Sequence, residues 1–286
     1  MFPTSFQYRR AETLQEALRL FESCQDAKYL AGGHSLIPVM KQRLAQPDCL
    51  IDIGSIEELA SVEDAGDAIR VGALVTHARL SSDPLIDANC ALLQQAAAQI
   101  GDPQVRNKGT IGGNLAHADP ASDLPGVMLA LEARIHLAGP GGKRSIPASE
   151  FFLDLFTTAM QEGEILAAVE MGKRPEWGNC YLKFEHPASG YAVCGAACSL
   201  RLGPDGECRR LNLAFNGVSA VPFAAGRVAE VLTGSRLSDE EIKRAVEEHL
   251  QVPEPLNDSF ASGPYRAQMA RVYARRVLAA ARNQMT

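Results

Sequence analysis

Two glycine-rich stretches hold the residues best suited to chemistry: Ala31-Gly32-Gly33-His34-Ser35-Leu36 and Thr110-Ile111-Gly112-Gly113-Asn114. Paired glycines let a backbone turn sharply and bring its N–H groups up to an anion with no β-carbon in the way. The first pair follows the apolar Tyr29-Leu30 and precedes a helical pattern over 36–44, which places Ser35 at an N-cap. Unsatisfied N–H groups and the helix dipole would then converge on one point. Two such loops in one domain fit a ligand with more than one phosphate, held from two sides: a dinucleotide. Neither pair is followed by Lys-Ser or Lys-Thr, so there is no P-loop, and the G-x-G-x-x-G spacing of the Rossmann turn does not occur. Taken singly, each pair also fits an ordinary tight turn.

The run from Asp102 to Pro125 surrounds the second pair and decides between these readings. It resembles the FAD-binding signature of the flavoprotein subunits of molybdenum hydroxylases, the xanthine dehydrogenase and aerobic carbon monoxide dehydrogenase family. Residues 31–41, AGGHSLIPVMK, are similar to the other half of that family's site. Residues 181–193, YLKFEHPASGYAV, are similar to the opening of its C-terminal domain. The resemblance covers essentially the whole chain. It implies an α+β fold: a two-part FAD-binding domain of the vanillyl-alcohol-oxidase/molybdenum-hydroxylase type over 1–175, then a smaller domain of antiparallel sheet plus helices over 176–286.

The resemblance also implies a site. Backbone N–H groups of Gly32, Gly33, His34 and Ser35, flanked by Ala31 and Leu36, would hold the pyrophosphate. Thr110, Ile111, Gly112, Gly113 and Asn114 would close the opposite side. Asp123 matches a carboxylate that contacts the cofactor, Leu166 an apolar contact, and Lys183 a basic residue next to it. Tyr191 matches the aromatic that lies against the isoalloxazine in carbon-monoxide-dehydrogenase-type members, although EHPASGY at 185–191 departs from the R-x-x-D-x-A form common elsewhere. On the residues alone, Asp123 also fits a helix cap, Lys183 a solvated edge charge, and Leu166 and Tyr191 core positions. FAD is expected without a covalent link, because neither His34 nor His117 lies in an attachment motif.

No catalytic residue and no metal ligand is expected in this chain. No Ser–His–Asp or Cys–His arrangement stands out, and His34, His117 and Asp119 lack further ligands at supporting spacing. The seven cysteines are scattered without a C-x-x-C, so they supply no iron–sulfur cluster. The resemblance places the other centres in partners: a small subunit with two [2Fe–2S] clusters and a large subunit with a molybdenum–pterin cofactor, assembled as a dimer of heterotrimers. The flavin would pass electrons to NAD⁺, a quinone or O₂. Two other readings are a self-sufficient FAD-dependent oxidase and a non-catalytic nucleotide-binding assembly protein. The former lacks substrate-activating residues in the C-terminal portion.

The elements that must carry these loops follow from periodicity. Helices are expected over 13–24, 87–100, 124–131, 238–250 (announced by Ser238-x-x-Glu241, a capping box) and 265–281. Strands are expected over 27–30, 49–53, 69–76, 134–137, 164–171, 180–185, 191–202 and 208–216, the last two joined by the hairpin turn 203–207. Gly, Pro and charges at 172–178 break all periodicity and mark the domain boundary. Cys194 and Cys198 read as buried small apolar residues on one strand face. Arg266, Arg271, Arg275, Arg276 and Arg282 read as a solvated face of the last helix. A net charge of −6 argues against nucleic-acid or anionic-membrane partners. There is no signal-peptide pattern and no apolar run near the roughly 20 residues of a membrane helix, so a cytoplasmic location is expected.

Overall fold

The computed structural model describes residues 2–285. The chain begins with a small parallel sheet in which Cys49–Asp52 lies between Gln7–Arg10 and Ala27–Leu30. Parallel strands need crossovers. The helix Leu14–Ser23 joins the two outer strands, and the segment with the helix Leu36–Lys41 joins Ala27–Leu30 to its neighbour Cys49–Asp52. The first turn of Leu14–Ser23 is capped by Thr13 Oγ1 accepting the Glu16 N–H at 3.1 Å. Ala17 and Ile51 are fully buried between helix and sheet. The chain leaves Leu30 directly into the first glycine loop.

A second unit is a five-stranded antiparallel sheet with Ile165–Gly172 in the middle, flanked by Ala68–Gly72 and Arg134–Gly139. Helices Ala91–Ala98, Ile111–His117 and Leu124–Ala130 cover one face and bury Leu92, Leu93, Leu115 and Val127. The single helix expected over 87–100 is two helices. Pro84–Asn89 starts on the Asp83 cap and ends at Cys90, whose φ of −141° is not helical, and Ala91–Ala98 begins anew.

The last sheet is antiparallel in the order Gly178–Glu185, Ala192–Leu202, Cys208–Asn216 and Phe223–Ala224. The hairpin at 203–207 closes with the Gly203 N–H donating to the Glu207 carbonyl at 2.8 Å. Three helices, Gly226–Leu232, Asp239–His249 and Gly263–Asn283, pack on one face, and the Ser238–Glu241 capping box is formed. Cys194 and Cys198 are buried there with Cys180 and Cys208, and burial raises all four thiols above their ordinary range. On the other face, the paired row Tyr181–Ala197–Ala214 enters the core of the five-stranded unit. Both faces of this sheet are therefore covered, and one of them is the contact between the two halves of the chain.

Two arginines pin this arrangement. Arg174, in the aperiodic stretch, is buried and donates to the Ala130 and Leu131 carbonyls, Ser199 Oγ and the Glu132 carboxylate at 2.7–3.1 Å. Arg266 corrects the expectation of a solvated arginine face. It is buried, donates to the Val193 and Gly217 carbonyls at 2.8 and 2.6 Å, and pairs with Asp258. Among the described residues no helix is long and apolar enough to cross a membrane.

Candidate cofactor site

A cleft of about 730 Å³ lies where the three sheets meet, within the roughly 300–1,000 Å³ typical of ligand and cofactor pockets. The small parallel sheet contributes residues 31–36, the five-stranded unit contributes 110, 112–114, 123 and 166, and the last domain contributes 189–191. Of the residues singled out from sequence, only Ile111 and Lys183 do not line it.

The two glycine segments differ in what they present. In the first, Gly33 adopts φ +73°, open to glycine at no cost. Among the described residues, the N–H groups of Gly32, Gly33, His34 and Ser35 find no acceptor. Gly32, Gly33 and Ser35 are half-buried and His34 is exposed, so four consecutive free donors on a cleft wall offer an acceptor-rich ligand a ready place to bind. Ser35 stands at the N-cap of Leu36–Lys41, but its side chain caps nothing, and that helix stops at Lys41 rather than 44.

The second segment is not a loop. Thr110 caps the helix Ile111–His117, and its Oγ1 accepts the Gly113 N–H at 3.2 Å. The Ile111 and Gly112 N–H groups are spent on the Val75 and Ala73 carbonyls at 3.0 and 2.8 Å. Gly112 is glycine because a β-carbon there would lie 2.4 Å from that of Ala73. This segment offers the cleft side chains and a bare Gly113, with Asn114 fixed by the Ser122 hydroxyl at 2.7 Å.

Asp123 occupies the N-cap position of Leu124–Ala130 and makes no cap bond. Its buried carboxylate accepts from Tyr181 Oη at 2.5 Å and lies 3.2 Å from Lys183 Nζ. Desolvation raises it to about 6, against the opposing pull of Lys183 and Tyr181. Lys183 is no solvated edge charge. Its buried ammonium also donates to the Gln99 and Gly190 carbonyls at 2.8 Å each, so it stands behind Asp123 and ties down the 186–190 turn. Leu166 is buried beside a bulge in its strand. Tyr191 is 46% exposed at the cleft mouth and is not a core residue.

Three contributors were not singled out from sequence. Tyr181 is a strand residue like its neighbours until its hydroxyl meets Asp123. His77 is buried on the cleft wall, where burial and the nearby Arg106 lower it to about 4 and keep it neutral at pH 7. Phe156, with φ +52°, packs its ring 5.2 Å from that of His117 at the cleft edge. Only Phe156 carried a signal, in the apolar run Phe151-Phe152-Leu153-Asp154-Leu155-Phe156.

Comparison with known proteins settles the family. Residues 4–173 match the model of the FAD-binding domain in molybdopterin dehydrogenase, and residues 179–281 match the CO dehydrogenase flavoprotein C-terminal domain. The chain belongs to the flavoprotein subunits of the molybdenum hydroxylases. It is 36% identical over 283 residues to subunit alpha of the 6-hydroxypseudooxynicotine dehydrogenase complex of Paenarthrobacter nicotinovorans, covering 98% of this chain and 96% of that one. It is 36% identical over 272 residues to the glyceraldehyde dehydrogenase medium chain of Sulfolobus acidocaldarius, covering 95% and 96%. The crystal structure of a cyanide-inactivated Cu,Mo-CO dehydrogenase superposes with a TM-score of 0.94 at 34% identity, covering 99% and 100%. This flavoprotein subunit is thus an FAD-binding member of an oxidoreductase family, with that family's two-domain fold.

Proposed function

We propose that the chain holds FAD non-covalently in the cleft and serves as the electron-transfer subunit of a heterotrimeric molybdenum hydroxylase. The observation that carries the cofactor assignment is the row of four unpartnered N–H groups from Gly32 to Ser35 on the wall of a cleft of cofactor size. A diphosphate supplies the acceptors those donors lack. Across the cleft, Thr110, Gly113 and Asn114 form the opposite wall, while Ile111 and Gly112 anchor their helix to the sheet. Asp123 accepts from a donor on the ligand, Lys183 acts through Asp123, Leu166 gives an apolar surface, and Tyr191 closes the mouth. When bound, the flavin supplies reversible one- and two-electron transfer, and the protein binds, orients and desolvates it.

The partners are a small subunit with two [2Fe–2S] clusters and a large molybdopterin subunit, in a dimer of heterotrimers in the cytoplasm. The domains divide at 175/176. The relatives act in complexes named for a nicotine derivative and for glyceraldehyde, which supports placing substrate choice outside this chain. The test is to express the chain alone and with the two partners. Alone, it should be yellow, release FAD to the supernatant on acid precipitation, and fail to oxidise organic substrate. In the complex, substrate should reduce the flavin. Rapid, saturable flavin reduction by substrate in the single chain would establish a self-sufficient oxidase instead.

A further inference from the structure

We propose that Tyr181 is a positioning residue of the cofactor site, reaching across the domain contact to hold the Asp123 carboxylate in the orientation the ligand meets. Asp123 sits in the FAD-binding domain and lines the cleft, whereas Tyr181 lies in the C-terminal domain and is fully buried behind it. Its hydroxyl donates to Asp123 Oδ1 at 2.5 Å, and Asn216 Nδ2 lies 3.4 Å from the same hydroxyl. A β-carbon on Gly195 of the next strand would lie 2.5 Å from Tyr181 Oη, so only glycine leaves space for the hydroxyl there. A carboxylate with no cap bond to make, pinned from behind by a phenol and an ammonium, keeps its remaining lone pairs for the cleft. The consequence is that the cofactor site is completed by the second domain, and flavin affinity depends on a hydroxyl that never touches the flavin.

The charged and titratable groups facing Asp123 are Tyr181, Lys183 and Glu185 from the first strand of the C-terminal domain and Tyr191 from the turn beyond it. Of these, the Tyr181 hydrogen bond favours the ionised carboxylate and Glu185 opposes it. The inference rests on the FAD reading, and the experiment separates the two. Full-length native protein, Tyr181→Phe, Asp123→Asn and the double variant are freed of flavin and titrated with FAD from pH 5 to 8, with melting temperature recorded for each. Native protein that takes up no FAD would fail the cofactor reading itself. If native protein binds, Tyr181→Phe should lose about tenfold in affinity at pH 7, the scale of one hydrogen bond to a charged group. Its pH profile should move upward, because the carboxyl loses a donor that holds its proton affinity down. The double variant should bind no worse than Asp123→Asn alone, since the phenol acts only through the carboxylate. Unchanged affinity and pH profile in Tyr181→Phe, or additive losses in the double variant, would overturn the proposal. Should Tyr181→Phe not fold, Asn216→Ala, which frees the phenol without removing it, should move affinity the same way by a smaller factor. No change in that variant would overturn the proposal equally.

Discussion

The α-carbon of Gly32 lies against the main-chain carbonyl of Lys108, and a β-carbon at residue 32 would stand 1.9 Å from that oxygen. The loop that offers free N–H groups is therefore seated directly on the segment leading into the Thr110-capped helix. Gly32→Ala should displace the loop, costing about 1–3 kcal/mol by overpacking and abolishing flavin occupancy. Gly113→Ala is the milder change, because its β-carbon would meet only side-chain atoms, Thr110 Oγ1 at 3.0 Å and the Ala31 β-carbon at 3.8 Å, and no backbone. It should retain much of the flavin. The ratio of flavin to protein absorbance checks both, and equal occupancy in the two would show that the loop contact is dispensable.

Gly33 asks for a different property, its φ of +73°. Gly33→Val should cost about 1–2 kcal/mol from the left-handed backbone alone and remove flavin binding with it. Thermal melting of the flavin-free protein, compared with flavin uptake, separates the two effects. A variant as stable and as yellow as the native protein would refute the conformational requirement.

The Asp123 carboxyl titrates near 6 in the folded chain, above the roughly 3.9 of an unperturbed aspartate. The folded state therefore holds this proton more tightly than the unfolded state does. The resulting stability is fully present below about pH 4 and is lost as pH rises through 6, an effect on the order of 3 kcal/mol. Asp123→Asn removes it at every pH. The stability difference between native protein and variant should grow in favour of the native as pH falls from 7 to 5, read by urea melts. A difference that is flat with pH would contradict the burial of this carboxylate.

Arg174 joins the two halves of the chain through two carbonyls, one hydroxyl and one carboxylate. Arg174→Ala strands the Leu131 carbonyl, while Ala130 keeps the Asn212 amide and the half-exposed Glu132 keeps Arg210. It should cost about 1–3 kcal/mol, the cost of a buried group left unpaired. Because Tyr181 and Lys183 reach Asp123 only when the halves are docked, flavin should be lost in step. Limited proteolysis at 172–178 should become fast in this variant. Cleavage and flavin content at native levels would show that the apolar contact alone holds the halves together.

The sequence by itself determined what depends on near neighbours. Gly203-Pro204-Asp205-Gly206-Glu207 made a hairpin because turn chemistry is local, Ser238 and Glu241 formed their capping box across one helical turn, and Ala27–Leu30 and Cys208–Asn216 are strands where the pattern placed them. The glycine pairs and the residues from Asp102 to Pro125 likewise pointed to one cleft, and most of them line it. Tertiary structure decided which of their groups are left free. The Ile111 and Gly112 donors are consumed by carbonyls at residues 75 and 73, so the two glycine segments, alike in sequence, present opposite surfaces. Asp123 fitted both a cofactor carboxylate and a helix cap by sequence, and a phenol 58 residues away gave its carboxylate a partner. Arg266 kept a helix-surface spacing yet is buried by carbonyls from two segments of the sheet domain. The helix over 87–100 broke at Cys90, a residue with no local signal for a break. Hydrogen-bond partners and desolvation are set by chain segments distant in sequence, and no window along the sequence contains them.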